Sequence, residues 1–170
     1  RQISTVRDFP EDEHKNENCD LRRISYTIRS KSKSFSADGS TDLPRDILRQ
    51  YDEVVLHKRC DNPFNEPRAD RILSELRADE FIIIGGLIET SVKKTVLGLL
   101  ARKKYVTVLT DAIGYRDKNA SEIALRQMQA KGAKFAEVKS LLGSTCLRQV
   151  GTCGCNRCRG KTQKSLANTG

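Results

Sequence analysis

The chain has 170 residues, enough for one domain with a real core, and its balance of 37% hydrophobic and 31% charged residues is ordinary for a soluble globular protein rather than a fibrous or low-complexity one. No apolar run is long enough to span a bilayer and no signal peptide opens the chain, so a soluble, intracellular, cytoplasmic protein is expected. The net charge of +9 favours polyanions in general without specifying one.

Taken in chain order, Ile3–Val6 reads as a strand. Residues 19–41 are rich in Ser, Arg and Lys, and no acidic residue falls between Arg29 and Ser36, the composition of a surface excursion around a short strand at Ile24–Ile28. Glu53–Leu56 reads as the next strand. A helix follows, with Asn65 ahead of Glu66-Pro67 and Ala69, Ile72, Leu73 and Leu76 on one face. Phe81–Ile84 is a run of four large apolar residues between Asp79-Glu80 and a glycine pair, the pattern of a strand buried on both faces. Val92, Val96, Leu99 and Leu100 share a helical face, Tyr105–Leu109 reads as a strand, and Asn119 and Glu122 have capping-box spacing ahead of a helix that stops at Lys131-Gly132. Phe135–Leu142 reads as a short last strand with its lead-in. Strands alternating with helices predict parallel βαβ units, with helices on both faces of one sheet.

The break at Gly85-Gly86 delivers Ser91 to a helix start, where unpaired backbone N–H groups and the helix dipole stabilise a developing anion. A serine hydroxyl attacks poorly without an adjacent general base. Two readings therefore stand at Ser91: a nucleophile position, or a first-turn residue satisfying backbone donors, the second being favoured by chemistry alone.

The segment from Tyr51 to Leu142 resembles the isochorismatase-like hydrolases, the superfamily of nicotinamidases, carbamoylsarcosine amidases and related cysteine hydrolases. The matching residues are EVVLHKR with Lys58, Asn62-Pro63-Phe64 and a helix, FIIIGGL, then Glu89-Thr90-Ser91-Val92 with Thr95, and YVTVLTDAIG from Tyr105 to Gly114. Ile3–His14 is similar to the segment after the family's second strand. The resemblance implies a three-layer parallel-sheet domain and an Asp, Lys and Cys constellation attacking a small-molecule amide or related carbonyl. Lys58 falls on the family's lysine and Ser91 on its cysteine, while the Asp belongs to a first strand upstream of Arg1. A sheet without that strand has unpaired edges prone to recruit another chain, so a homo-oligomer or larger assembly is expected. Asp8 and His14 fit the family's metal site, but Pro10 stands where a histidine is expected, and no metal is assigned there. Arg1 in place of an initiator Met reads as a fragment or processed product.

The domain is set at 1–142, with a basic tail from 143 to 170. Cys146, Cys153, Cys155 and Cys158 are arranged C-x6-C-x-C-x2-C among several glycines, and four thiolates so close can satisfy a tetrahedral zinc ion. Disulfides and an unstructured Cys-rich tail are the competing readings. After Glu137 the tail has no acidic residue, and Arg157, Arg159 and Lys161 suit RNA, although aromatic stacking partners are missing. Cys19 and Cys60 read as free thiols. Two functions follow: a hydrolase-fold protein whose amide hydrolysis is impaired or lost through Ser91, or a scaffold whose zinc-knit tail binds RNA or a ribonucleoprotein assembly.

Overall fold

The structure, a computed structural model, describes residues 2–7 and 29–143. Two three-stranded parallel ladders carry the fold. β1 (Gln2–Arg7) and β2 (Ser32–Phe35) flank β3 (Glu53–Lys58) in the order β1-β3-β2, and β5 (Val106–Ile113) lies between β4 (Phe81–Gly85) and β6 (Lys134–Ala136) in the order β4-β5-β6. The helices are α1 (Ile47–Gln50), α2 (Pro67–Glu75), α3 (Lys93–Ala101), α4 (Lys118–Ala130) and α5 (Val138–Gly143). The parallel α/β class expected from the alternation holds. The hydrogen bonding differs in one respect, because the strands expected in one sheet divide into two ladders among the described residues.

Both ladders share one core. Val54 and Leu56 of β3, Val106 and Val108 of β5, Val96 and Leu99 of α3, and Met128 of α4 are all buried in it. β-Branched residues at alternate strand positions fit this pleated interior, which is why EVVLHK and VTVL form strands. Glu53 is buried too, and its Oε1 accepts from Gln2 Nε2 at 3.0 Å and Ser4 Oγ at 2.6 Å, which ties β1 to β3 and sets Arg7 opposite Lys58 in register.

Three local expectations are corrected. Ile82 and Ile84, expected inside a strand buried on both faces, are 44% and 61% exposed, because β4 is the outer strand of its ladder. The strand expected over Phe135–Leu142 ends at Ala136 and gives way to α5, whose Val138 N donates to the Asp111 carboxylate at 2.9 Å. α4 begins earlier than the Asn119–Glu122 spacing suggests, since Asp117 is its N-cap and accepts from Ala120 N at 2.8 Å. Glu66 holds the N-cap position of α2 without a side-chain cap, while the Asn62 side chain caps the short turn Pro63–Asn65. The Ile24–Ile28 strand, Asp8, His14, Cys19 and the tail from 144 to 170 lie outside the described residues.

That short turn is held in place by packing. Phe64 lies against Gly98 of α3, where an added Cβ would sit 2.1 Å from Phe64 Cε2. The Arg102 guanidinium covers the same ring at 3.9 Å from its centroid and binds Asp70, Ser74 and the Gly98 carbonyl. Only a residue without a side chain at 98 lets the Asp61–Asn65 segment dock so closely on α3.

Candidate active site

β3 ends at Lys58, and the chain turns at Asp61. β4 ends in the glycine pair, where Gly85 takes φ 121 and its carbonyl accepts from Gly114 N at 2.9 Å. The Gly114 carbonyl in turn accepts from Ile88 N at 3.0 Å. The chain then enters a wide turn over Ile88–Val92 that leads into α3, so Ser91 stands two residues before the first residue of that helix, Lys93. Thr95 Oγ1 donates back to the Ser91 carbonyl at 2.8 Å and steadies that first turn.

These two strand ends bring Lys58 and Ser91 together. Lys58 is 3% exposed and its Nζ donates to Ser91 Oγ and to the Asp61 carbonyl, the latter at 2.9 Å. Ser91 Oγ donates to the same carbonyl at 3.2 Å. Among the described residues neither Nζ nor Oγ meets a carboxylate. The Asp61 side chain faces elsewhere, accepting from Arg7 Nη1 at 3.2 Å and Lys94 Nζ at 3.3 Å. Burial lowers the Lys58 pKa below that of an ordinary lysine; the Asp61 charge opposes the shift, and the cations of Arg7 and Lys94 add to it. Such a lysine can hold a hydroxyl in position as an ammonium, or take its proton as a neutral amine.

Glu89 supports the turn from below. Its Oε1 accepts from Arg116 N at 2.7 Å and Asp117 N at 3.2 Å, linking the loop after β5 to the segment that carries Ser91. Burial raises its pKa, but its own backbone N–H together with those of Arg116 and Asp117 outweighs burial and leaves it lowered.

Of the residues singled out from sequence, Lys58 and Ser91 converge. Cys60 is half-buried, its Sγ donating to the Asn62 carbonyl at 3.4 Å and accepting from Asn65 Nδ2 at 3.4 Å. Asp61, Arg7, Lys94 and Glu89 were missed; the only signal for Asp61 was its place three residues after Lys58. Among the described residues no group of three or more His, Cys, Asp or Glu could hold a metal ion, and Cys146, Cys153, Cys155 and Cys158 lie outside them. No described helix is long and apolar enough to cross a membrane.

The parallel α/β fold thus brings a lysine at the end of β3 to a serine in the turn that follows β4. The isochorismatase domain profile matches residues 12–140, more than half of the chain, and the chain belongs to that family. No curated protein matches it. Among solved structures it is similar to the YcaC protein of Pseudomonas aeruginosa (18% identity over 61% of this chain and 54% of that one, TM-score 0.47). It is similar also to the pyrazinamidase/nicotinamidase of Streptococcus mutans (22%, 49% and 47%, 0.46) and the MAR1 ribonuclease of Caenorhabditis elegans (18%, 81% and 68%, 0.49). The chain spans about half the length of the first two.

Proposed function

We propose that this chain is a small-molecule hydrolase centre of the isochorismatase type whose amide hydrolysis is impaired because Ser91 stands at the nucleophile position. The observation that carries the reading is the Lys58–Ser91 contact at a helix start, with no carboxylate touching either group among the described residues. A hydroxyl is a far weaker nucleophile than a thiolate unless a base removes its proton, so the site retains position and loses attacking power. Turnover of nicotinamide, carbamoyl and isochorismate-type substrates tests it. Slow turnover by the native chain, raised by Ser91→Cys, supports the reading; unchanged, negligible turnover in Ser91→Cys removes it.

A second reading rests on the tail. The C-x6-C-x-C-x2-C spacing beside Arg157, Arg159 and Lys161 supports a zinc-knit module that binds RNA or a ribonucleoprotein assembly, with the α/β domain as its scaffold. Metal analysis of reduced protein decides it: about one zinc per chain supports the module, and none removes it. Self-association through β4, the outer strand of its ladder among the described residues and one whose Ile82 and Ile84 are exposed, and an intracellular location belong to the same proposal.

A further inference from the structure

Ser91 lacks a carboxylate base among the described residues, yet it has a base of another kind. Lys58 reaches it from the last position of β3, with its stem buried and its Nζ held by one neutral carbonyl. The nearest acid, Asp61, gives that carbonyl while its carboxylate is engaged by Arg7 and Lys94. Among the described residues, no carboxylate ties the lysine into an ion pair that would hold it protonated. An amine in these surroundings can donate one N–H to the Asp61 carbonyl and turn its lone pair to the Ser91 hydroxyl.

We propose that Ser91 and Lys58 form a serine–lysine dyad that accepts acyl groups from activated esters. This rests on reading the site as a hydrolytic centre and names its preferred substrate class. The neutral Lys58 amine takes the Ser91 proton as Oγ attacks the ester carbonyl carbon, so a C–Oγ bond forms and the carbonyl pair moves onto oxygen. Collapse breaks the bond to the leaving phenoxide or alkoxide, which takes the proton held on Lys58. The products are an acyl-Ser91 ester, the free alcohol or phenol, and a lysine again neutral. Water activated by the same amine then releases the acid. A phenoxide departs with little help, whereas an amine must be protonated as it leaves, so esters outrun amides at this site and weak amide hydrolysis is its natural companion.

The test treats the full chain with p-nitrophenyl acetate across a range of pH and follows p-nitrophenolate release together with peptide mapping by mass. The expected result is one acetyl group on Ser91, a rate that rises with pH to a plateau, no label at position 91 in Ser91→Ala, and a rate loss of about 100-fold or more in Lys58→Arg. Lys58→Arg keeps a long basic side chain but one that stays protonated and cannot take the Ser91 proton, and circular dichroism establishes that both variants fold. Label confined to surface lysines, or an undiminished rate in folded Lys58→Arg, overturns the dyad. If Ser91 stays unlabelled while Ser91→Cys hydrolyses amides, the dyad falls and the hydrolytic reading stands. If both are silent, both fall.

Discussion

Asp61 meets Lys58 through its main-chain carbonyl, at 2.9 Å, rather than through its carboxylate. The carboxylate lies between Arg7 and Lys94, so an acid close to the site in sequence is kept out of direct contact with the buried amine. Its charge still acts at a distance, opposing the lowering of the Lys58 pKa.

Asp61→Asn therefore lowers the Lys58 pKa further, since it removes the largest opposing charge while the Arg7 and Lys94 cations remain. The ascending limb of any Ser91-dependent pH–rate profile moves to lower pH while the carbonyl contact remains. A shift to higher pH contradicts this electrostatic account.

Lys58→Met separates stability from chemistry. With the folded pKa below the ordinary value of 10.5, the unfolded chain binds a proton that the folded chain lacks in the window between them. Charging the buried amine costs stability below the folded pKa, and that cost is relieved as pH rises toward 10.5. The variant is expected to be neutral or more stable by about 1 kcal/mol near pH 7, with the difference shrinking at alkaline pH. Urea denaturation at several pH values measures it; an advantage of the variant that grows with pH contradicts it.

Gly98→Ala tests the packing that seats the Asp61–Asn65 turn. A Cβ 2.1 Å from Phe64 Cε2 cannot be accommodated without moving the ring, which Arg102 covers from the other side. The expected loss is about 1–3 kcal/mol, recovered in part by adding Phe64→Leu. Equal stability of Gly98→Ala and the native chain rules out this packing.

The strands were legible where apolar runs are long, as at Val54–Leu56 and Val106–Leu109, because burial of such residues decides local structure. Ser32–Phe35 was not legible, since SKSF is mostly polar and becomes a strand only by pairing with β3. Ile82 and Ile84 misled for the converse reason: an apolar run says that a residue can be buried, and only the sheet order says whether it is. Lys58 and Ser91 were legible through the family resemblance. The part played by Asp61 was not, because no sequence pattern tells whether an aspartate presents its carbonyl or its carboxylate to a lysine three residues away.

Glu66 supplies an acid-sensitive contact next to the site. Its side chain is 5% exposed and accepts from Arg59 N at 2.9 Å, Nε at 3.1 Å and Nη2 at 3.1 Å. Arg59 holds the carboxyl below its usual range of titration, so the stabilisation is present above the unfolded value of 4.5 and is lost as pH falls through the folded pKa. Because the Arg59 side chain is 62% exposed, Glu66→Gln is expected to cost only about 1 kcal/mol at pH 7 and to flatten the acid limb of the stability curve. Thermal melts between neutral and acid pH check it, and parallel acid limbs for the two proteins contradict it.

The central claim is that Lys58 is a buried amine poised to serve Ser91. Its most direct test is an NMR titration of the Lys58 side chain, assigned by comparison with Lys58→Arg. The account predicts a midpoint below the ordinary lysine value of 10.5, moving lower still in Asp61→Asn. A midpoint at or above 10.5 would mean a permanently charged lysine at neutral pH, and would contradict it.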